Sequence, residues 1–228
     1  MICKAFAYAS AVFGVPPPEV YFAPDVPGEI EVANIRGTMS GMPALVVGKK
    51  VLEISADLEL AFIVGRTLAA VRPDHLLRWP TFVPTLAELE IALRAAIRQI
   101  DPARPIPPEI TAEVEKYATF LGRTLPPQLV EQISVLVRRF PVFQAAEDTL
   151  RNDLARWARA AFLTSIRAGL LLSGDLEVSA RLGEAAAAAV GIDPADVVRD
   201  LTSFAVSGAY FELRNALGLR NVNLGFRG

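Results

Sequence analysis

Very few residues of this 228-residue chain could bind zinc or supply imidazole or thiol chemistry, since it holds one His (His75) and one Cys (Cys3). A zinc peptidase helix needs two imidazoles four residues apart, so that both reach one metal ion from the same face. A glutamate beside the first then polarises the metal-bound water. The segment Asp57-Leu-Glu-Leu-Ala-Phe-Ile-Val-Gly-Arg-Thr-Leu-Ala-Ala-Val-Arg72 has the helical frame for such a site. It carries Arg66 and Ala70 at the required spacing, with Thr67 beside Arg66. Arginine is always protonated and alanine has no donor atom, so neither replaces a neutral imidazole. Threonine is no general base near neutral pH. With one His and one Cys, a structural zinc site of the usual kind is also out of reach. A carboxylate-only site for magnesium or calcium stays open in principle, but no D-x-D-x-D-G loop is present. The expectation is no catalytic residue, no metal and no cofactor.

The surroundings of that helix carry a resemblance. The run Pro43-Ala-Leu-Val-Val-Gly48 precedes it, and Pro73-Asp74-His75 follows. Together they resemble the heat-shock and CAAX-processing zinc metallopeptidases, the gluzincins, in which a "PAIVVG" strand leads into a "GHELGH" helix. Here Gly65-Arg-Thr-Leu-Ala-Ala70 occupies that stretch. The resemblance puts Arg66 and Ala70 on two ligand positions and Thr67 on the base position; His75 matches a downstream histidine that is not a ligand. A second stretch, Trp157 to Asp175, is similar to the family's "ExxADRAGLLxxGD" helix. That similarity puts Phe162 on the third-ligand position and Ile166 on that of the supporting aspartate, with Arg167, Gly169 and Ser173-Gly174-Asp175 kept. The resemblance covers about residues 5–75 and 150–220. It implies a degenerate peptidase fold whose frame is retained and whose chemistry is gone, with Arg66, His75, Arg167 and Asp175 as structural polar residues. In bacteria, such domains look like parts of large multidomain proteins rich in helical repeats.

Composition fits one sizeable domain over 1–228, with a β-containing part at about 1–75 and a helical part at about 81–219. Hydrophobic residues make up 52% and charged residues 21%. Mean hydropathy is +0.35, yet no apolar run reaches the roughly 18 residues of a membrane span. Net charge −2 gives no electrostatic footprint for nucleic acid. The start, Met1-Ile-Cys-Lys4 and then Ala5 to Val15, loosely fits a signal peptide or lipid-anchor cysteine. An opening helix packed under the first strand is the preferred reading, because the charge is single and the apolar run short. A chain that begins inside a helix is expected to come from a longer polypeptide, and the cytoplasm is the expected location.

The elements follow from periodicity and punctuation. Glu19–Ala23 and Glu29–Ile35 read as strands around the turn residues Pro24 to Gly28. Thr38–Met42 reads as a loop and Ala44–Val47 as a buried strand. Apolar residues ring 58–71, which predicts a central buried helix capped by Ser55 or Asp57. Helices are expected at Leu86–Ile100, Glu109–Leu121, Pro127–Phe140, Ala145–Leu172, Leu176–Val190, Pro194–Val206 and Ser207–Leu217, then an irregular tail from Arg220. The predicted class is α+β and predominantly helical: about three N-terminal strands on a zincin-like central helix, followed by a helical bundle.

Arg66 lies mid-helix among apolar residues, so it must be paired or reach solvent. Glu147, Asp148 or Asp153 of the long helix could pair with it; alternatively it snorkels along a remnant cleft. His75 reads as a loop-end hydrogen-bonding residue, since no positioned Ser or Cys completes a triad. Lys49-Lys50 after Gly48 lacks phosphate-loop spacing. Glu88 and Glu90 read as a solvated helix face, and Ala185–Ala189 as a surface for close helix packing. The function these residues imply is a catalytically inactive, metallopeptidase-like interaction or scaffolding module. Its partner is a protein or another domain of the same polypeptide. The alternative is a small apolar ligand or lipid in the cavity left by the zinc site.

Overall fold

A computed structural model describes residues 1–33, 44–75, 85–139 and 147–219. In chain order the elements are α1 (Ile2–Phe13), β1 (Val20–Ala23), β2 (Ile30–Ala33), β3 (Ala44–Gly48), α2 (Lys49–Leu52) and α3 (Asp57–Ala70). They continue with α4 (Leu86–Arg98), α5 (Thr111–Thr124), α6 (Pro127–Arg139), α7 (Glu147–Ser173), α8 (Leu176–Ala189), α9 (Pro194–Ala205) and α10 (Gly208–Ala216). The class is α+β and predominantly helical, with a small three-stranded sheet and a helical bundle. The expected loop 38–42, the tail from Arg220 and the side chains of Glu147 and Asp148 lie outside the described residues.

The chain divides into two compact units: Met1–Thr81 with Arg159–Gly228, and Phe82–Ala158. The first contains the sheet. Its order is β1-β3-β2, with β1 parallel to β3 and β2 antiparallel. β1 and β2 are neighbours in sequence yet lie on opposite sides of β3. The turn between them, closed by Val26 N–H on the Ala23 carbonyl at 3.0 Å, also accepts Lys49 N–H at Val26 O. Burial of Ile30 and Val32 against exposed Glu31 follows the two-residue period of a half-buried strand.

Helix α3 is buried on nearly all sides, from Leu60 to Gly65 and from Thr67 to Ala69. Each fully buried large apolar side chain here, such as Leu60 or Phe62, contributes about 1.5–3 kcal/mol. Two glycines set its closeness to α7. A Cβ on Gly65 would lie 2.8 Å from the Ala168 carbonyl oxygen, and one on Gly169 would lie 2.6 Å from the Phe62 ring. Each glycine therefore admits the other helix. The capping expected for α3 is corrected: Ala56 occupies the cap and makes no side-chain bond. Asp57 sits one position later, where its charge still favours the N-terminal dipole. Its Oδ1 is buried without a hydrogen-bond partner among the described residues. The opening helix packs against α3.

The second unit has its own small core of Ala95, Val114 and Ala118, with Ile91, Ile106, Ile110 and Leu121 around it. Thr85 caps α4 by accepting from Glu88 N–H, as its position predicts. Gln99 Nε2 donates to the Ala118 carbonyl at 2.9 Å and ties α4 to α5. The reading of Glu90 as solvated is corrected, because it is 3% exposed. Its two carboxylate oxygens accept from Arg94 Nε and Arg151 Nε, each at 2.9 Å.

Candidate binding site

Five of the residues singled out above surround one pocket of about 410 Å³ in the first unit: Arg66, Thr67, Ala70, Phe162 and His75. Their convergence follows from helix geometry. Residues 66, 67 and 70 share one face of α3, as 161, 162 and 165 do on α7, by the three-and-four spacing of a helix. Alanines make the space: Ala70, Ala161, Ala185, Ala186 and Ala189 line it, three of them from α8. The alanine run therefore opens a cavity as well as permitting close packing. Glu29 and Ile30 at the start of β2, Lys50 of α2, Ser165 and Val190 complete the wall.

Arg66 donates from Nη2 to Glu29 Oε2 at 2.6 Å. This corrects the expected pairing with the long helix, since the acid comes from the start of an edge strand, 37 residues away in the chain. Asp153 bonds Arg156 instead. No local spacing could reveal Glu29 as the partner, because the antiparallel placement of β2 beside β3 brings it to α3. The guanidinium has five N–H donors in a planar fork, so one carboxylate oxygen leaves room for a second acceptor. Lys50 is exposed at the rim. Among the described lining residues, two basic side chains thus stand with one carboxylate. His75 turns its Nδ1 to the Ala69 carbonyl at 2.9 Å, with Nε2 3.6 Å from Asp74, in keeping with a residue that closes the end of α3. Burial works against ionisation of Asp74, but the bond from Arg72, a backbone hydrogen bond and the nearby charges leave its carboxyl below the ordinary value. Ser165 donates to the Phe162 carbonyl at 2.6 Å.

The remaining expected residues lie elsewhere. Ile166 is fully buried and packs toward Gly183 of α8, outside the pocket lining. Arg167 lines a different cavity of about 380 Å³, beside Leu68, Phe204 and Leu217. There it holds Asp200 with both Nε, at 2.8 Å, and Nη2, and lies 5.2 Å over the Phe204 ring. The hydrogen bond to Asp200 holds the guanidinium above its already high ordinary value. Asp175 caps α8, accepting from Val178 N–H at 2.9 Å. Glu29, Lys50 and the α8 alanines are the site residues that motif reading missed.

One border of the pocket is a strand edge. Among the described residues, β2 pairs only with β3. Gly48 N–H bonds the Glu29 carbonyl at 2.8 Å, which sets the phase of the antiparallel ladder. Glu29, Glu31 and Ala33 therefore face β3, while the main-chain groups of Ile30 and Val32 point away from it, on a side where both residues are covered, at 8% and 2% exposure.

Comparison with protein-family models, curated proteins and solved structures finds no match to this chain. Among the described residues, no group of three His, Cys, Asp or Glu is arranged to hold a metal ion. No helix among them is long and apolar enough to cross a membrane.

Proposed function

We propose that this chain is a non-catalytic binding domain, a degenerate relative of the gluzincin peptidases, whose cleft holds an extended segment of a protein partner or of another domain in the same polypeptide. The observation that carries this reading is the meeting of Arg66, Thr67, Ala70 and Phe162 on one alanine-lined pocket bordered by the start of β2. A segment of a partner can lie across this pocket with one apolar side chain among the alanines. Among the described residues that line the pocket no nucleophile is paired with a base: the imidazole of His75 and the carboxylate of Glu29 are bonded to the Ala69 carbonyl and to Arg66. A small apolar ligand is the second reading, favoured by the same alanine lining.

The test measures binding of short alternating threonine–valine peptides by fluorescence anisotropy, alongside zinc content and casein cleavage of the purified chain. Binding without cleavage, lost when Ala186→Phe fills the pocket and the melting temperature is retained, is the expected result. Binding unchanged in Ala186→Phe overturns this pocket as the binding site. One tightly held zinc per chain with peptide cleavage overturns the non-catalytic reading.

A further inference from the structure

Beyond the pocket, and independently of its reading, we infer that the outer edge of β1 takes an extended protein segment of alternating apolar and basic residues as a further strand of the sheet. β1 ends the sheet and, among the described residues, pairs with β3 alone. Leu45 N–H bonds the Glu19 carbonyl at 2.8 Å, in a parallel register that sets Val20 against Leu45. Glu19, Tyr21 and Ala23 therefore turn their main-chain groups to β3, and Val20 and Phe22 turn theirs outward. Unlike the β2 side, this edge is open: Tyr21 is 46% exposed and Phe22 51%. No lysine, proline or bulge within Val20–Ala23 blunts it, as sheet edges ordinarily are blunted.

The register also assigns the two faces. Phe22 lies on the side of the sheet that carries Leu45 and Val47, both fully buried, yet at the edge its ring stays half exposed. Tyr21 lies on the opposite side with Val46 and Glu31, and its hydroxyl donates to Glu19 Oε2 at 3.1 Å. Residues 19–33 and 44–48 hold four acids, Glu19, Asp25, Glu29 and Glu31, and no lysine or arginine. A strand added at β1 sets its alternate side chains beside Phe22 on one face and beside Tyr21 and Glu19 on the other, at cross-strand distances of about 4.5–5.5 Å. Apolar residues suit the first face. Basic residues suit the second, where carboxylates attract them and the Tyr21 ring can receive a cation. A second copy of this chain would bring the same acids to that face, so charge favours a different, basic partner.

The probes are fluorescein-labelled hexapeptides of alternating valine and lysine, and of alternating valine and glutamate, read by fluorescence anisotropy on the whole chain. The valine–lysine peptide is expected to bind, and the valine–glutamate peptide to bind about tenfold or more weaker. N-methylating one alternate set, the valines in an antiparallel pairing or the lysines in a parallel one, is expected to abolish binding; N-methylating the other set is expected to spare it. Phe22→Pro removes an outward donor and none of the donors turned to β3, so binding is expected to fall about tenfold or more with the melting temperature retained. Phe22→Lys puts a charge on the edge without altering the backbone and is expected to weaken the valine–lysine peptide as well. In Ala186→Phe, which fills the pocket, binding of that peptide is expected to be unchanged. Equal affinity of the lysine and glutamate peptides, or an equal effect of the two N-methylated sets, overturns the inference. Binding kept in both Phe22 variants, or lost in Ala186→Phe, overturns it too. A chain that sediments as a dimer and becomes monomeric in Phe22→Lys gives the edge to a second copy, and the inference fails. No binding of either peptide refutes it as well.

Discussion

Arg66–Glu29 in the first unit and Arg94–Glu90 in the second join the same two side-chain types, and burial gives them different work. The second pair is dry, its side chains 6% and 4% exposed, and both oxygens of Glu90 are taken by Arg94 and Arg151. The first is half open, at 19% and 40%, and lines a cavity. A buried pair with both carboxylate oxygens bonded is a structural device, costly to break because burial keeps water from the charge left behind. A half-open pair with donors to spare can be shared with a ligand. Solvent access, rather than residue type, separates the two.

The strongest way to sharpen this contrast is Glu90→Gln, which removes the buried carboxylate that Arg94 and Arg151 both bond. We expect a loss of about 3–5 kcal/mol in urea unfolding, confined to the second unit if the units melt separately. Next comes the helix crossing behind the pocket. Gly169→Ala meets the Phe62 ring and is expected to destabilise the first unit by about 1–3 kcal/mol, read in the same unfolding curves. Glu29→Gln should cost no more than about 1 kcal/mol, since its pair is partly solvated. A destabilisation as large as that of Glu90→Gln would break the comparison.

The smallest effect expected is a pH dependence at Asp196, which joins Arg159 of α7 at 2.9 Å and Arg199 at 2.8 Å. The hydrogen bond from Arg159, with both arginine charges, holds its carboxyl below the ordinary 3.8. A depressed folded value means that its contribution is complete above that pH and is lost as the pH falls through the folded value. Asp196→Asn should therefore flatten the acid limb of melting temperature against pH and leave the neutral region nearly unchanged.

Helix α3 was legible because its apolar residues recur on all sides, and burial from Leu60 to Ala69 follows directly. The cap at Thr85 and the proline start of α9 were equally local signals. Glu90 misled because a carboxylate on a helix is ordinarily solvated. Its partner Arg151 is 61 residues away, and only packing brings it near.

The sequence by itself determined the elements, the α+β class and the residue types at the candidate site, because periodicity, capping and side-chain chemistry are properties of neighbours along the chain. Tertiary structure alone decided that β1 and β2 flank β3, that Glu29 meets Arg66, and that the α8 alanines open a pocket beside Phe162. Those outcomes depend on which strand and which helices lie together in space. Contacts across such separations arise from packing the whole core, and no local spacing encodes them.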